Sequence, residues 1–188
     1  QPRIKICSLL HQAGFISSPH TSTWTNVAGS TSKLQLQGAI CLEPVPTKNI
    51  QFISIGISPI MNEGGHNVLY EAINKVFANS LFGVVDDLPE LDEREKKRRA
   101  EDGRFKTDGY TNKELKGTGK GVDRWPMFCL KIEIKDRPRI GKLHSTDDIF
   151  EDVNALASIT NLLQQVAVGF LMENKLMPKD VQTSSMNQ

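Results

Sequence analysis

Two short extended segments followed by one amphipathic helix, all between Lys33 and Leu81, constrain the fold of this chain more than any other feature. Ser32-Lys33-Leu34-Gln35-Leu36-Gln37-Gly38-Ala39-Ile40 alternates polar and apolar side chains, the period of a half-buried strand. Pro44-Val45-Pro46-Thr47-Lys48-Asn49 then interrupts any ladder, because its prolines fix φ and lack an N–H. Gln51-Phe52-Ile53-Ser54-Ile55-Gly56-Ile57 reads as a second strand. From Asn67 to Ser80 the period becomes helical, with Leu69, Ile73, Val76 and Phe77 on one face and Ala72 beside them.

The remainder sorts into elements by the same rules. Arg3 to Gln12 reads as a short helix closed by Gly14, although Ile4 and Ile6 leave a strand open as the alternative. Gly14 to Ser32 is rich in Ser, Thr and Pro and reads as a loop. Between Val84 and Arg124 acids and bases are equally numerous, with glycines dispersed among them. There Asp92-Glu93-Arg94-Glu95-Lys96-Lys97-Arg98-Arg99 places acids three or four positions before bases, so a short exposed helix is expected inside a charged, mobile insertion. Trp125 to Ile134 is a third strand, with Phe128, Leu130, Ile132 and Ile134 facing one way.

A last helix opens near Ser145, with Asp148 completing an approximate capping box. Its stripe Ile149, Val153, Leu156, Ile159, Leu163, Val166 and Phe170 needs a surface to cover, and Pro178 stops it. Residues 178–188 read as a linker. The expected architecture is α+β: a mixed sheet of four or five strands with helices packed on it.

Composition narrows function mainly by exclusion. The chain has 188 residues and a net charge of +1, so any basic surface has to come from uneven distribution. No signal-peptide layout and no apolar run approaching a membrane span is apparent, and the absence of an initiator Met points to a piece of a longer polypeptide. Cys7, Cys41 and Cys129 are far apart with no CxxC pair, which reads as buried thiols. His11, His20, His66 and His144 are isolated, so no metal site is expected. Gly117-Thr118-Gly119-Lys120-Gly121 lacks the spacing of a phosphate-binding loop and precedes a strand, which favours a linker. No catalytic residue is expected in this stretch.

The ordered set "x-L-x-L-x-G … Q-F-I-S-I … L-Y-E-A-I-N-K-V-F" resembles the second, transducer domain of MutL-type DNA mismatch-repair proteins. Leu36, Gly38, Gln51, Phe52, Ile55, Ile60, Ala72 and Ile73 stand where that pattern wants them. The charged insertion and "R-W-P-M-F" look most like the fungal branch called MutL homologue three. The resemblance implies a ribosomal-protein-type second-domain fold with a left-handed βαβ crossover, an exception to the usual hand. It also divides the chain into the tail of a GHKL-type ATPase domain with its connecting loop (1–32), the transducer domain (33–177, with 84–124 inserted) and the linker.

The resemblance implies function as well. The domain would couple ATP binding next door to dimerisation and non-specific contact with double-stranded DNA, in mismatch repair and meiotic recombination. ATP and Mg would belong to the parent protein, the partner would be the MutL homologue one subunit, the location nuclear, with no membrane. In the family a loop lysine reaches the γ-phosphate; the local counterpart is Lys142 in Ile140-Gly141-Lys142-Leu143. The "V-D-V-N-V-H-P" strand that precedes that loop elsewhere is absent here, and Ser58 replaces the family's Arg after the second strand. DNA phosphates would be met by Lys48, Lys96, Lys97, Arg98, Arg99, Lys113, Lys116, Lys120 and Arg124. The rival reading is a stand-alone RNA- or ribosome-associated module of the same fold, which needs a basic or aromatic face.

Overall fold

The computed structural model describes residues 2–84, 90–105, 109–111, 114, 124–135 and 146–178. The elements are α1 (Pro2–Gln12), β1 (Trp24–Ser30), β2 (Leu34–Cys41), β3 (Gln51–Ile55), β4 (Ser58–Ile60), α2 (Val68–Ala78), α3 (Glu93–Ala100), β5 (Phe128–Ile134), α4 (Thr146–Glu151) and α5 (Val153–Glu173). The class is α+β, with one five-stranded sheet in the order β1-β2-β5-β3-β4. It is mixed: β3 and β5 run parallel, and the other neighbours are antiparallel.

Alternation along the strands creates two faces. Leu34, Leu36 and Ile40 of β2, Ile53 and Ile55 of β3, and Phe128, Leu130 and Ile132 of β5 turn one way, into the main core under α2 and α5. The expected stripe of the last helix does this work through Ile159, Leu163, Val166 and Phe170, all buried. By length and composition α5 is apolar enough to cross a membrane, contrary to the expectation that no run approaches a span. Here it is a core helix, packed on α2, β1 and β2. The opposite face carries Trp24, Ala39 and Cys41, which pack on Cys7 and Leu10 of α1.

Several local expectations need correction. The loop expected over Gly14–Ser32 contains β1, a seven-residue strand in full register with β2. Asn, Ala and Gly of β1 are weak strand formers, and cross-strand pairing overrides them. The second strand stops at Ile55 instead of Ile57. Gly56, at φ +61°, takes the first central position of a two-residue hairpin turn, which favours glycine there. Beyond it β4 is the edge, and Pro59 sits where a missing N–H is tolerated. The single last helix is two. Asp152, extended at ψ 105°, ends α4 and caps α5 by accepting the N–H groups of Asn154 at 3.0 Å and Ala155 at 3.2 Å. That leaves Val153 in the first turn, 78% exposed and off the stripe. The expected Ser145–Asp148 cap lies outside the described residues.

Three other features match the sequence reading. Gly14 closes α1 at φ +80°, with Phe15 N–H donating to Leu10 O (2.9 Å) and Gly14 N–H to His11 O (3.1 Å). α2 begins at Asn67, whose side chain accepts the Leu69 N–H. α3 forms where the charge pattern put it.

Candidate functional site

α1 covers only the β1–β2 half of the second sheet face. Over β5, β3 and β4 that face stays open, as a groove of about 930 Å³ between α1 and the β3–β4 hairpin. Its floor includes Gln37, Phe52, Ser54, Cys129 and Lys131, and its rims are Lys5 and Leu9 of α1 opposite Met61 beyond β4. Phe15, just past the α1 cap, meets Phe52 edge-on at 5.4 Å between ring centroids. That contact ties the helix end to the floor.

Among the described residues three cations and no carboxylate line the groove: Lys5, Lys48 and Lys131. Lys131 pairs with Glu133 at 3.0 Å. Lys48 Nζ stands 4.1 Å above the Trp125 ring centroid, an attraction to the ring that leaves its N–H groups available to an anion. Trp125 is itself fixed by reciprocal backbone bonds with Val45, at 2.9 and 3.0 Å. Gln51, buried at the start of β3, donates to Asn74 Oδ1 (2.8 Å) and Pro126 O (2.9 Å) and accepts from Asn74 Nδ2 (2.9 Å). This reciprocal pair joins α2, β3 and the entry to β5 just beneath Lys48. Tyr70 of α2 supports the other rim: its hydroxyl accepts the Ile53 N–H at 2.9 Å and donates to Ile60 O at 2.7 Å.

Cys129 is half-buried on the groove floor, and burial, helped slightly by Cys7, pushes its thiol up to about 12. Only the thiolate attacks electrophiles. Against an ordinary thiol near pKa ~8.5, its thiolate fraction at mildly alkaline pH falls by roughly a thousandfold. We expect iodoacetamide to modify Cys129 of the native chain at least about tenfold more slowly than in the urea-unfolded chain, read by peptide mass spectrometry. Comparable rates would contradict this.

Of the cations expected at DNA, Lys48 alone among the described residues lines this groove. Lys96, Lys97, Arg98 and Arg99 sit on α3. There Lys96 pairs with Glu93 at 3.7 Å and Arg98 with Glu95 at 2.6 Å. Arg99 is engaged by Glu95, Glu114 and the Gly109 carbonyl and lies over the Phe105 ring. These arginines hold the Glu95 carboxyl at about 2. Lys97 is exposed. Arg124 donates to the Ser80 and Ala78 carbonyls at the end of α2, at 3.2 and 3.1 Å. Lys113, Lys116, Lys120 and Lys142 lie outside the described residues.

Lys5 and Lys131 escaped the sequence reading. Each is one polar residue on an amphipathic element, and nothing local tells that α1 and the hairpin flank one open stretch of sheet. A scan against models of known protein families finds no match. No curated protein matches the chain either.

Proposed function

We propose that this chain is the transducer domain of a MutL-type DNA mismatch-repair protein, nearest to MutL homologue three, with no turnover of its own. In this reading it passes the state of ATP and Mg in an adjoining GHKL-type ATPase domain to dimerisation with a MutL homologue one subunit and to non-specific contact with double-stranded DNA in the nucleus. The ribosomal-protein-type fold with its left-handed crossover belongs to the same reading.

The observation that carries it is the groove. Lys5 and Lys48, which have no carboxylate beside them among the described residues, suit a polyanionic backbone, which is held by charge and carries no sequence information, while Lys131 is already paired with Glu133. The fold adds support, because the residues of the resemblance other than the exposed Phe52 occupy tight positions. Leu36, Ile55, Ile60, Ala72 and Ile73 are buried, Gln51 is buried and fully bonded, and Gly38 lies under the backbone of β5. The rival RNA-associated reading draws on Phe52, 38% exposed on the floor and able to take a base. Preference for single-stranded RNA over duplex DNA would favour that rival.

The coupling is tested in the parent protein. There a cation at Lys142 would stabilise charge on the transferring phosphoryl group, so Lys142→Ala should lower ATP turnover by roughly a hundredfold. An unchanged rate would remove that role from Lys142. ATP hydrolysis by the 188-residue chain alone would overturn the whole reading.

A further inference from the structure

The two edges of the sheet are built differently. β4 is three residues long and interrupted by Pro59, a guarded edge. β1 is seven residues, Trp24–Ser30, with no proline and no charge. The Thr31 N–H donates to Leu34 O at 2.8 Å and the Leu42 N–H to Thr23 O at 2.7 Å, which sets the phase of the β1–β2 ladder. Thr25, Val27 and Gly29 therefore turn their amides toward β2, and Asn26, Ala28 and Ser30 turn theirs outward. Among the described residues those outward groups have no backbone partner.

Beside this edge runs a groove of about 340 Å³, walled on the far side by α5 through Leu162, Val166, Gly169 and Glu173. A Cβ on Gly169 would meet nothing within 4 Å, so the helix leaves room there for a side chain from outside. The other side of the strand is cationic. Arg3, whose backbone N–H donates to Asn26 Oδ1 at 2.8 Å, has its Nε buried without an acceptor among the described residues. Lys135 Nζ reaches Ser30 Oγ at 2.5 Å and Thr31 O at 2.8 Å.

We propose that β1 accepts an extended segment of a partner protein as a sixth strand. The outward amides at alternate residues specify an extended backbone, which would complete the ladder through Asn26, Ala28 and Ser30. Period-two alternation then divides the guest's side chains. Apolar ones enter the α5 groove, from which Glu173 repels carboxylates, and acidic ones lie against Arg3 and Lys135. The guest is thus an alternating acidic and apolar strand.

The probe is a capped heptapeptide alternating glutamate and valine, added to the isotopically labelled 188-residue chain. Amide hydrogen exchange should slow by about tenfold or more at Asn26, Ala28 and Ser30, while Val27 and Gly29, already bonded to β2, change little. Ala28→Pro removes an outward N–H and should abolish the effect. Should that variant misfold, a peptide N-methylated on its strand-facing amides does the same with the protein unaltered. Lysine in place of glutamate should weaken binding about tenfold. No protection up to the solubility of the peptide, or equal binding of the lysine peptide, overturns the proposal. So does dimerisation of the free chain through these same amides, which would give the edge to a second copy.

Discussion

Gly38→Ala should lower the thermal midpoint of this chain by roughly 6–12 °C, at about 2–4 °C per kcal/mol for a chain of this size. An alanine Cβ at residue 38 would stand 2.0 Å from the Cys129 carbonyl oxygen and 2.9 Å from the Leu130 Cα. Both are backbone atoms of β5, held in the β2–β5 ladder that fixes Gly38 opposite Leu130. No rotamer change relieves the clash, so two central strands have to separate, at a cost of roughly 3 kcal/mol, the upper end for overpacking. Gly169→Ala is the control. Its Cβ meets nothing within 4 Å, and the helix gains roughly 0.5–1 kcal/mol by losing a glycine. Circular dichroism melts of both variants decide the point. A change under about 2 °C for Gly38→Ala would mean that the strands are not this close.

The second large effect belongs to the buried pair beneath the groove. Gln51→Leu strips Asn74 of its side-chain partners and leaves the Pro126 carbonyl without a donor, all in a site where both residues are 5% exposed. Unsatisfied buried polar groups cost roughly 1–3 kcal/mol each, so we expect a loss of about 3 kcal/mol in urea unfolding. Asn74→Leu should cost somewhat less, because the Gln51 amide keeps Pro126 O. The double variant removes both partners together and should fall short of the sum by about 1–3 kcal/mol. Strict additivity would show that the two amides stand apart in solution. Because this pair anchors β3 under the Lys48 loop, the single variants should also loosen the groove.

What could be read from sequence follows from how local the causes are. β2, β5 and α2 announced themselves because each turns one apolar face to the core, and period two or 3.6 is then enforced residue by residue. Gly14 was legible as a cap because its chemistry is local to the chain. β1 was not legible: only Trp24 and Val27 of it are buried, and its other residues carry loop composition until β2 pairs with them. The break at Asp152 hid among the acids of an exposed helix surface, where a capping Asp and a solvated Asp look alike. The groove was the least legible part. Lys48 could be named from its loop, but Lys5 and Lys131 join it only because α1 stops short of β3.

Salt dependence of duplex binding tests most directly whether the groove holds phosphates. The 188-residue chain and its Lys5→Glu, Lys48→Glu double variant would be titrated with a short double-stranded DNA over a series of salt concentrations. Two lost phosphate contacts should make the slope of log affinity against log salt shallower by about 1.8, with weaker binding whatever the DNA sequence. Identical slopes and affinities for the two proteins would place phosphate contact elsewhere and contradict the groove as its site.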